Sequence, residues 1–568
     1  MELDCLVATT YSASLDTVLT LPGAMLLEGA YAAARKPGTF TPADLAALKR
    51  VCARTMVFCQ GAAILAAELV PPAIIEAEQI VHEVTAPNGG SFHPKVWVAR
   101  FRRPDEATSI LRVSVMSRNI TGDASWDAGV VIESGVALPT EKRNDLGDLL
   151  RMLPGRCLRA LGKAQKQLLS ELIRQAETVK WRMPSDVGRP SFHLVGERPK
   201  GGWRQPECDR LAILSPFLTA PAIELLAGAA RKLPFIVSRP DALEGCWSAV
   251  SERFDRKLIL AAPENDDDGR RAPQLHAKML IWERRKRAHV AIGSMNATTA
   301  AVTGRNVEFM VSFDCTKVAP NGIDALLERM NMGTVLEDFG PEAGQPPTAT
   351  PFDDRPARAC LLSSGLHLDC KQAGDGWEIN LVPRAPQANV ATLLPNLRYR
   401  PVTLAKSRSC ACGESVAAGL PAPYPETLAL AQITGFTHFE ADGPDGPIAF
   451  VLNLEVRGVS DEDRRHAALK TLIPDSRSFS DFLRTLLGDF HSLDASSAMG
   501  EGSDSSEWRP GGHTGLLELL IRCATDEPER LASIRQTLNT FSAEELESVT
   551  TAEFRQLWTA LLESAKRA

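Results

Sequence analysis

One structural grammar appears twice between residue 1 and about residue 335. Near the start, Cys5-Leu6-Val7-Ala8-Thr9-Thr10 reads as a buried strand, Tyr11-Ser12-Ala13-Ser14 as a polar turn, and the apolar stretch through Leu27 as a helix by its spacing. About two hundred residues later, Arg210 to Leu214 is a strand, Ser215 to Thr219 a turn, and Ala220 to Arg231 a helix leading into Phe235-Ile236-Val237. Each half continues with a His-x-Lys at the head of an apolar run, a second run closed by Ser-x-Asn, and a third run. These runs are Phe92 to Phe101, Leu111 to Met116 and Ala128 to Ile132 in the first half, and Leu275 to Trp282, Ala288 to Ile292 and Val307 to Phe313 in the second. Short runs rich in Val, Ile, Phe and Trp and bounded by turns are strands. A duplication of this kind predicts two α/β lobes, each a strand-helix unit followed by a meander.

The repeated positions carry chemistry. Of ten histidines, only His93 and His276 are followed two residues later by lysine, Lys95 and Lys278. On a strand, residues i and i+2 share a face, so each His and Lys would project together. Ser117-Arg118-Asn119 and Ser294-Met295-Asn296 follow at matching places. A two-fold arrangement of the lobes would bring two His, two Lys and two Asn to one seam. Such a set suits phosphodiester cleavage without a metal: one imidazole attacks phosphorus, its protonated mate donates to the departing oxygen, and lysines and amides hold the non-bridging oxygens. No cofactor is implied.

The paired His-x-Lys and Ser-x-Asn motifs resemble the repeated signature of the phospholipase D superfamily. The resemblance covers roughly residues 1 to 335 and implies duplicated lobes of mixed sheet flanked by helices around one two-fold seam. It makes His93, Lys95, Asn119, His276, Lys278 and Asn296 catalytic, with the N-terminal histidine as nucleophile. It also implies that the acidic residue near the third strand of each half, Glu308 twelve residues after Asn296 and Asp127 eight after Asn119, orients a histidine, and places Ser117, Ser294 and Asp127 among the residues around the substrate. The chain departs from the fullest form of the signature. The position five after each Lys, often Asp in the family, is Arg100 or Glu283, and Met116 stands where the second half has Gly293. These departures resemble the tyrosyl-DNA phosphodiesterase and nuclease branches.

Beyond the lobes the pattern changes. Expected domains are lobe 1 at 1–138, bridging helices at 139–195 with their period broken at Pro154-Gly155, lobe 2 at 196–338, a linker at 339–358, a small β module at 359–458 and a helical region at 459–568. The linker reading rests on five prolines between Gly340 and Arg358, and Ser492 to Gly512 reads as a mobile Ser/Gly-rich stretch. Phe450 to Leu454, Asp461 to Arg465 and Phe479 to Gly488 resemble the tails of bacterial phospholipase D-like proteins found with helicases. That resemblance implies a nuclease of a DNA-processing or antiviral defence system with a helicase or translocase partner.

A net charge of −7 limits nucleic-acid contact to a local groove. No run of about 18 apolar residues and no basic N-terminal segment is present, so the expected location is the cytoplasm, with no membrane partner. The expected substrate is nucleic acid, DNA ahead of RNA. The alternatives are a lipid phosphodiesterase or phosphatidyl transferase, and a non-catalytic subunit that only grips phosphate. Several features carry less. Arg100, Arg102 and Arg103, like Arg284 to Arg287, read equally as guides for a polymer and as solvated turns. Trp97 and Trp282 read as core. Glu264 to Gly269 lacks the closing glutamate of a calcium loop, and the twelve scattered cysteines read as reduced thiols.

Overall fold

The computed structural model describes residues 2–19, 41–102, 109–137, 142–197, 201–261, 274–315, 322–329, 335–340, 353–487, 516–526, 531, 534–535, 537–539 and 541–565. The acidic segment Glu264 to Gly269, Arg103, the stretch from Thr20 to Leu27, most of the linker and Ser492 to Gly512 lie outside the described residues. Two compact units divide the chain: residues 1–14, 54–64 and 81–353 form one, and residues 15–53, 65–80 and 354–568 the other.

The first unit holds two mixed sheets of the same topology. In the first, the order is Val179–Arg182, Gly129–Ala137, Ser109–Met116, Val96–Arg102, Glu2–Thr10, Thr55–Gln60 and Val81–Val84. In the second, Ser191–Val195, Glu308–Cys315, Arg287–Gly293, Met279–Arg284, Cys208–Leu214, Phe235–Val237 and Arg256–Leu260 follow the same order, with Leu336–Asp338 added at the edge. In each, the opening strand is central. It pairs parallel with the strand that follows and antiparallel with the strand after the His-x-Lys. A central strand buried on both faces must be apolar throughout, and Leu6, Val7, Ala8, Leu211, Ala212 and Ile213 are fully buried.

Helices Asp145–Arg156 and Lys163–Thr178 pack Leu146, Leu149, Leu150, Leu153, Leu169 and Leu172 against the first sheet. Pro154 falls in the last turn of the first helix, which runs on to Arg156, so the break comes after the Pro-Gly pair rather than at it. A proline there loses one hydrogen bond in a turn that is already ending.

The second unit contains one sheet segment ordered Ile448–Asn453, Phe436–Ala441, Arg398–Pro401 and Cys410–Ala411, and another ordered Ala422–Pro423, Gly376–Val382, His367–Ala373 and Glu455–Arg457. Its helices Pro42–Cys52, Ser476–Leu487, Leu516–Asp526 and Ala552–Ala565 share an apolar core containing Leu45, Phe482, Leu520 and Phe554. All twelve cysteines are free. Among the described residues, no helix is long and apolar enough to cross a membrane.

Candidate active site

The two His-x-Lys motifs lie just before their strands, not within them: the ladders begin at Val96 and Met279. Each lead-in segment pairs with the other lobe instead. Phe92 bridges Val307, and the His93 amide donates to the Val307 carbonyl at 2.9 Å. Gln274 and Leu275 pair with Ser125 and Trp126, and the His276 amide donates to the Trp126 carbonyl at 2.9 Å. Gly90 permits the first crossing, since a Cβ there would sit 1.8 Å from the Arg305 carbonyl oxygen.

This exchange delivers each histidine to a carboxylate of the opposite lobe. His93 Nδ1 lies 2.9 Å from Glu308 Oε2, and His276 Nδ1 lies 2.8 Å from Asp127 Oδ1. Anchoring Nδ1–H on a carboxylate leaves Nε2 of each ring for chemistry. The lysines return to their own motifs, with Lys95 Nζ donating to the His93 carbonyl at 2.9 Å and Lys278 Nζ to that of His276 at 2.7 Å.

The serines serve the carboxylates. Ser117 Oγ donates to Asp127 Oδ1 at 2.7 Å and accepts from the Ala128 amide; Ser294 Oγ donates to Glu308 Oε2 at 2.5 Å and accepts from the Phe309 amide. Asp127 and Glu308 are therefore equivalent despite their different spacing from Asn119 and Asn296. Both serines are fully buried, so their hydroxyls position the carboxylates in place of the substrate contact expected for Ser117 and Ser294. Asp127 likewise takes up a histidine-orienting place, matching that of Glu308.

The asparagines differ. Asn119 Oδ1 accepts from the Tyr11 amide at 3.3 Å and lies 3.3 Å from Thr10 Oγ1, whose hydrogen goes to the Ser12 carbonyl at 2.8 Å. In lobe 2 the residue at the place of Tyr11 is Pro216, which has no N–H to give. The buried Asn296 Oδ1 has no protein partner among the described residues. Sequence reasoning missed Tyr11. Its ring lies 5.3 Å from that of His93 and 6.0 Å from Lys95 Nζ, and the only signal was its place directly after the first strand. Arg118, also unassigned from sequence, caps the loop carbonyls of Thr121 and Asp123 and reaches Asp127 Oδ2 at 3.4 Å.

Burial shapes the electrostatics. Desolvation lowers the His93 pKa to about 4, against the opposing pull of Glu308. The same cause lowers His276, with Asp127 opposing it. Burial also brings Lys278 down to about 7 and puts Lys95, which further feels the charge of Lys278, well below its usual value. Burial raises both carboxylates, but hydrogen bonds from His276, Ser125 and Ser117 outweigh it for Asp127, and His93 and Lys95 outweigh it for Glu308, so both end lowered. The seam is a pair of imidazoles and a pair of lysines whose pKa values burial lowers, backed by two carboxylates whose own pKa values are lowered.

The departures from the family signature have structural causes. Arg100 is buried and ion-paired with Asp4 and, at 3.1 Å, with Glu171, while Glu283 pairs with Arg210 at 3.2 Å. The residue five after each Lys thus anchors its sheet through an ion pair, with the sign reversed between lobes. Met116 faces Gly129 across its ladder, and Gly293 faces Met310, so each rung holds one Gly and one Met in opposite order. Arg285 and Lys286 form the two-residue turn of a hairpin with φ of 48° and 63°, the solvated-turn reading. Trp282 is core, stacked 5.2 Å from His289, and Trp97 is half-buried.

The solved structures that resemble the chain include the following three. A mutant of yeast tyrosyl-DNA phosphodiesterase matches at 11% identity and a TM-score of 0.34, over 55% of this chain and 82% of that one. Polyphosphate kinase from Porphyromonas gingivalis matches at 11% identity and 0.30, over 58% of this chain and 42% of that one. Phosphatidylserine synthase from Haemophilus influenzae Rd KW20 matches at 9% identity and 0.31, over 59% of this chain and 82% of that one. No family model matches, and no curated protein does.

Proposed function

We propose that the chain is a phospholipase D-like phosphodiesterase that cleaves nucleic acid, DNA ahead of RNA. The observation that carries this reading is the reciprocal pairing of His93 with Glu308 and of His276 with Asp127, with Lys95 and Lys278 beside them. His93 Nε2, neutral because its pKa is lowered, attacks phosphorus. The P–O bond to the leaving group breaks as His276 Nε2–H gives that oxygen its proton. Neutral His276 then takes a proton from water, whose oxygen attacks phosphorus and breaks the P–N bond, returning free His93 and a phosphate monoester. Lys95, Lys278, Asn119 and Asn296 stabilise the charge on the non-bridging oxygens in both steps.

Nucleic acid is favoured over lipid by the form of the motifs, in which Arg100 and Glu283 replace the family aspartate. The resemblance of the C-terminal segments supports a role beside a helicase or translocase, as part of a DNA-processing or defence system. The test is hydrolysis of labelled DNA, RNA and phosphatidylcholine in EDTA by the wild type, His93→Ala and His276→Ala. Nucleic-acid cleavage that survives EDTA and is lost in both variants is expected; turnover of lipid alone would overturn the substrate assignment.

A further inference from the structure

We propose that Phe217 and Arg239 form a stacking platform for a nucleobase on the Asn296 side of the site. The inference rests on the nuclease reading and deepens it. Phe217 sits in the turn between Cys208–Leu214 and helix Ala220–Ala227, and that turn is tied to the loop carrying Asn296. Ser215 Oγ accepts from the Ala297 amide at 2.9 Å and donates to the Phe217 carbonyl at 2.8 Å. Leu218 bridges Ala297, and the Thr219 amide donates to the Ala297 carbonyl at 3.0 Å. Along this path the Cα atoms of Phe217 and Asn296 are at most about 13 Å apart.

Within this rigid turn Ser215 and Leu218 are 1% and 9% exposed, yet Phe217 is 44% exposed. The repeat supplies a control. In lobe 1, Thr10 Oγ1 donates to the Ser12 carbonyl at 2.8 Å, accepts from the Ile120 amide at 3.1 Å, and Ala13 bridges Ile120. The same turn is thus built with serine where lobe 2 has phenylalanine. An aromatic ring is not required by the turn, and its exposed part is open to a ligand.

Arg239 completes the platform. Ser238 Oγ donates to the Ser215 carbonyl at 2.6 Å, which places the end of the Phe235–Val237 strand against the turn. The Arg239 guanidinium carbon lies 5.4 Å from the Phe217 ring centroid, with its Nε 3.3 Å from the Asp241 carboxylate. A cation over one face of the ring leaves the exposed part to a flat π system, the arrangement by which sequence-tolerant single-strand binders hold a base. A phospholipid headgroup offers no such surface, so the platform distinguishes substrate classes.

The test compares a single-stranded oligonucleotide with the same strand made abasic on both sides of the scissile phosphate, using wild type, Phe217→Ala, Phe217→Trp and Arg239→Gln. On the base-bearing strand, Phe217→Ala should raise KM about 5- to 100-fold with kcat within about threefold, and Phe217→Trp should keep the wild-type KM. Arg239→Gln should raise KM in the same direction. On the abasic strand, wild type and Phe217→Ala should share one raised KM. Equal KM for wild type and Phe217→Ala on the base-bearing strand, or an equal loss on the abasic strand, would overturn the platform while leaving the nuclease reading intact. Failure of the wild type to cleave either strand, with turnover of phosphatidylcholine, would instead remove the nuclease reading and the platform with it.

Discussion

Asp127 of the first lobe holds His276 of the second at 2.8 Å, as Glu308 of the second holds His93 of the first at 2.9 Å. Neither lobe contains a complete histidine-carboxylate pair, so the site exists only when both are folded together. Asp127→Ala or Glu308→Gln frees the tautomer and orientation of one imidazole. Each should lower kcat by roughly 10²- to 10⁴-fold with a small change in KM. Steady-state kinetics on the cleaved substrate check this, and a change confined to KM would contradict it.

The pH dependence follows from burial. His93 must be neutral to attack and its pKa is about 4, so kcat/KM rises as pH climbs through that value. His276 must be protonated to donate, and its pKa is lowered from 6.5, so kcat/KM falls again before neutrality. Loss of the Lys278 charge, at about 7, steepens that fall. A bell with an acidic optimum is expected. Because bound phosphate favours every protonated form, the alkaline limb of kcat should lie at higher pH than that of kcat/KM. An optimum above pH 8 in both would contradict the assignment.

Arg100 holds a sheet and not a phosphate. It is 4% exposed and paired with Asp4 and Glu171. Arg100→Met removes the buried partner of Asp4, which keeps Arg54 and Arg102, and the guanidinium that holds Glu171, so it should cost about 2 kcal/mol of stability while kcat stays within about twofold. Urea denaturation and kinetics on one preparation separate the two effects.

In the second unit, Glu78 accepts both terminal nitrogens of Arg464, at 2.9 and 2.8 Å, and its Oε1 also takes the Thr434 hydroxyl and the Gly435 amide, each at 2.8 Å. Side chains of the pair are 8% and 1% exposed. Glu78→Gln leaves the buried guanidinium with the exposed Asp461 as its carboxylate partner and should destabilise this unit by about 2–3 kcal/mol, read as a lower denaturation midpoint.

The duplicated α/β architecture was legible because a central strand must be apolar on both faces and because the repeat marks equivalent positions. The residues of the seam were legible for the same reason: two His-x-Lys pairs among ten histidines do not escape notice. Spacing was a poorer guide. Asp127 and Glu308 lie at different distances from their asparagines; their place near the third strand of each half pairs them, and the matching bonds from Ser117 and Ser294 put them in equivalent positions. Tyr11 was hidden because its role comes from a ring contact and a backbone amide, neither of which leaves a motif. Residues 15–53 and 65–80 group with the C-terminal residues through tertiary packing, as Leu45 and Ala73 do with Phe482. Local periodicity carries no record of such a partner.

The most direct test is to trap the covalent intermediate. His276→Asn removes the proton donor and the later general base, so a substrate with a good leaving group should load the enzyme with phosphate and release it slowly. Peptide mass spectrometry after rapid quenching should find the adduct on His93 and on no other residue, and His93→Ala should abolish it. An adduct on another side chain, or full turnover by the His93→Ala variant, would contradict the two-histidine mechanism.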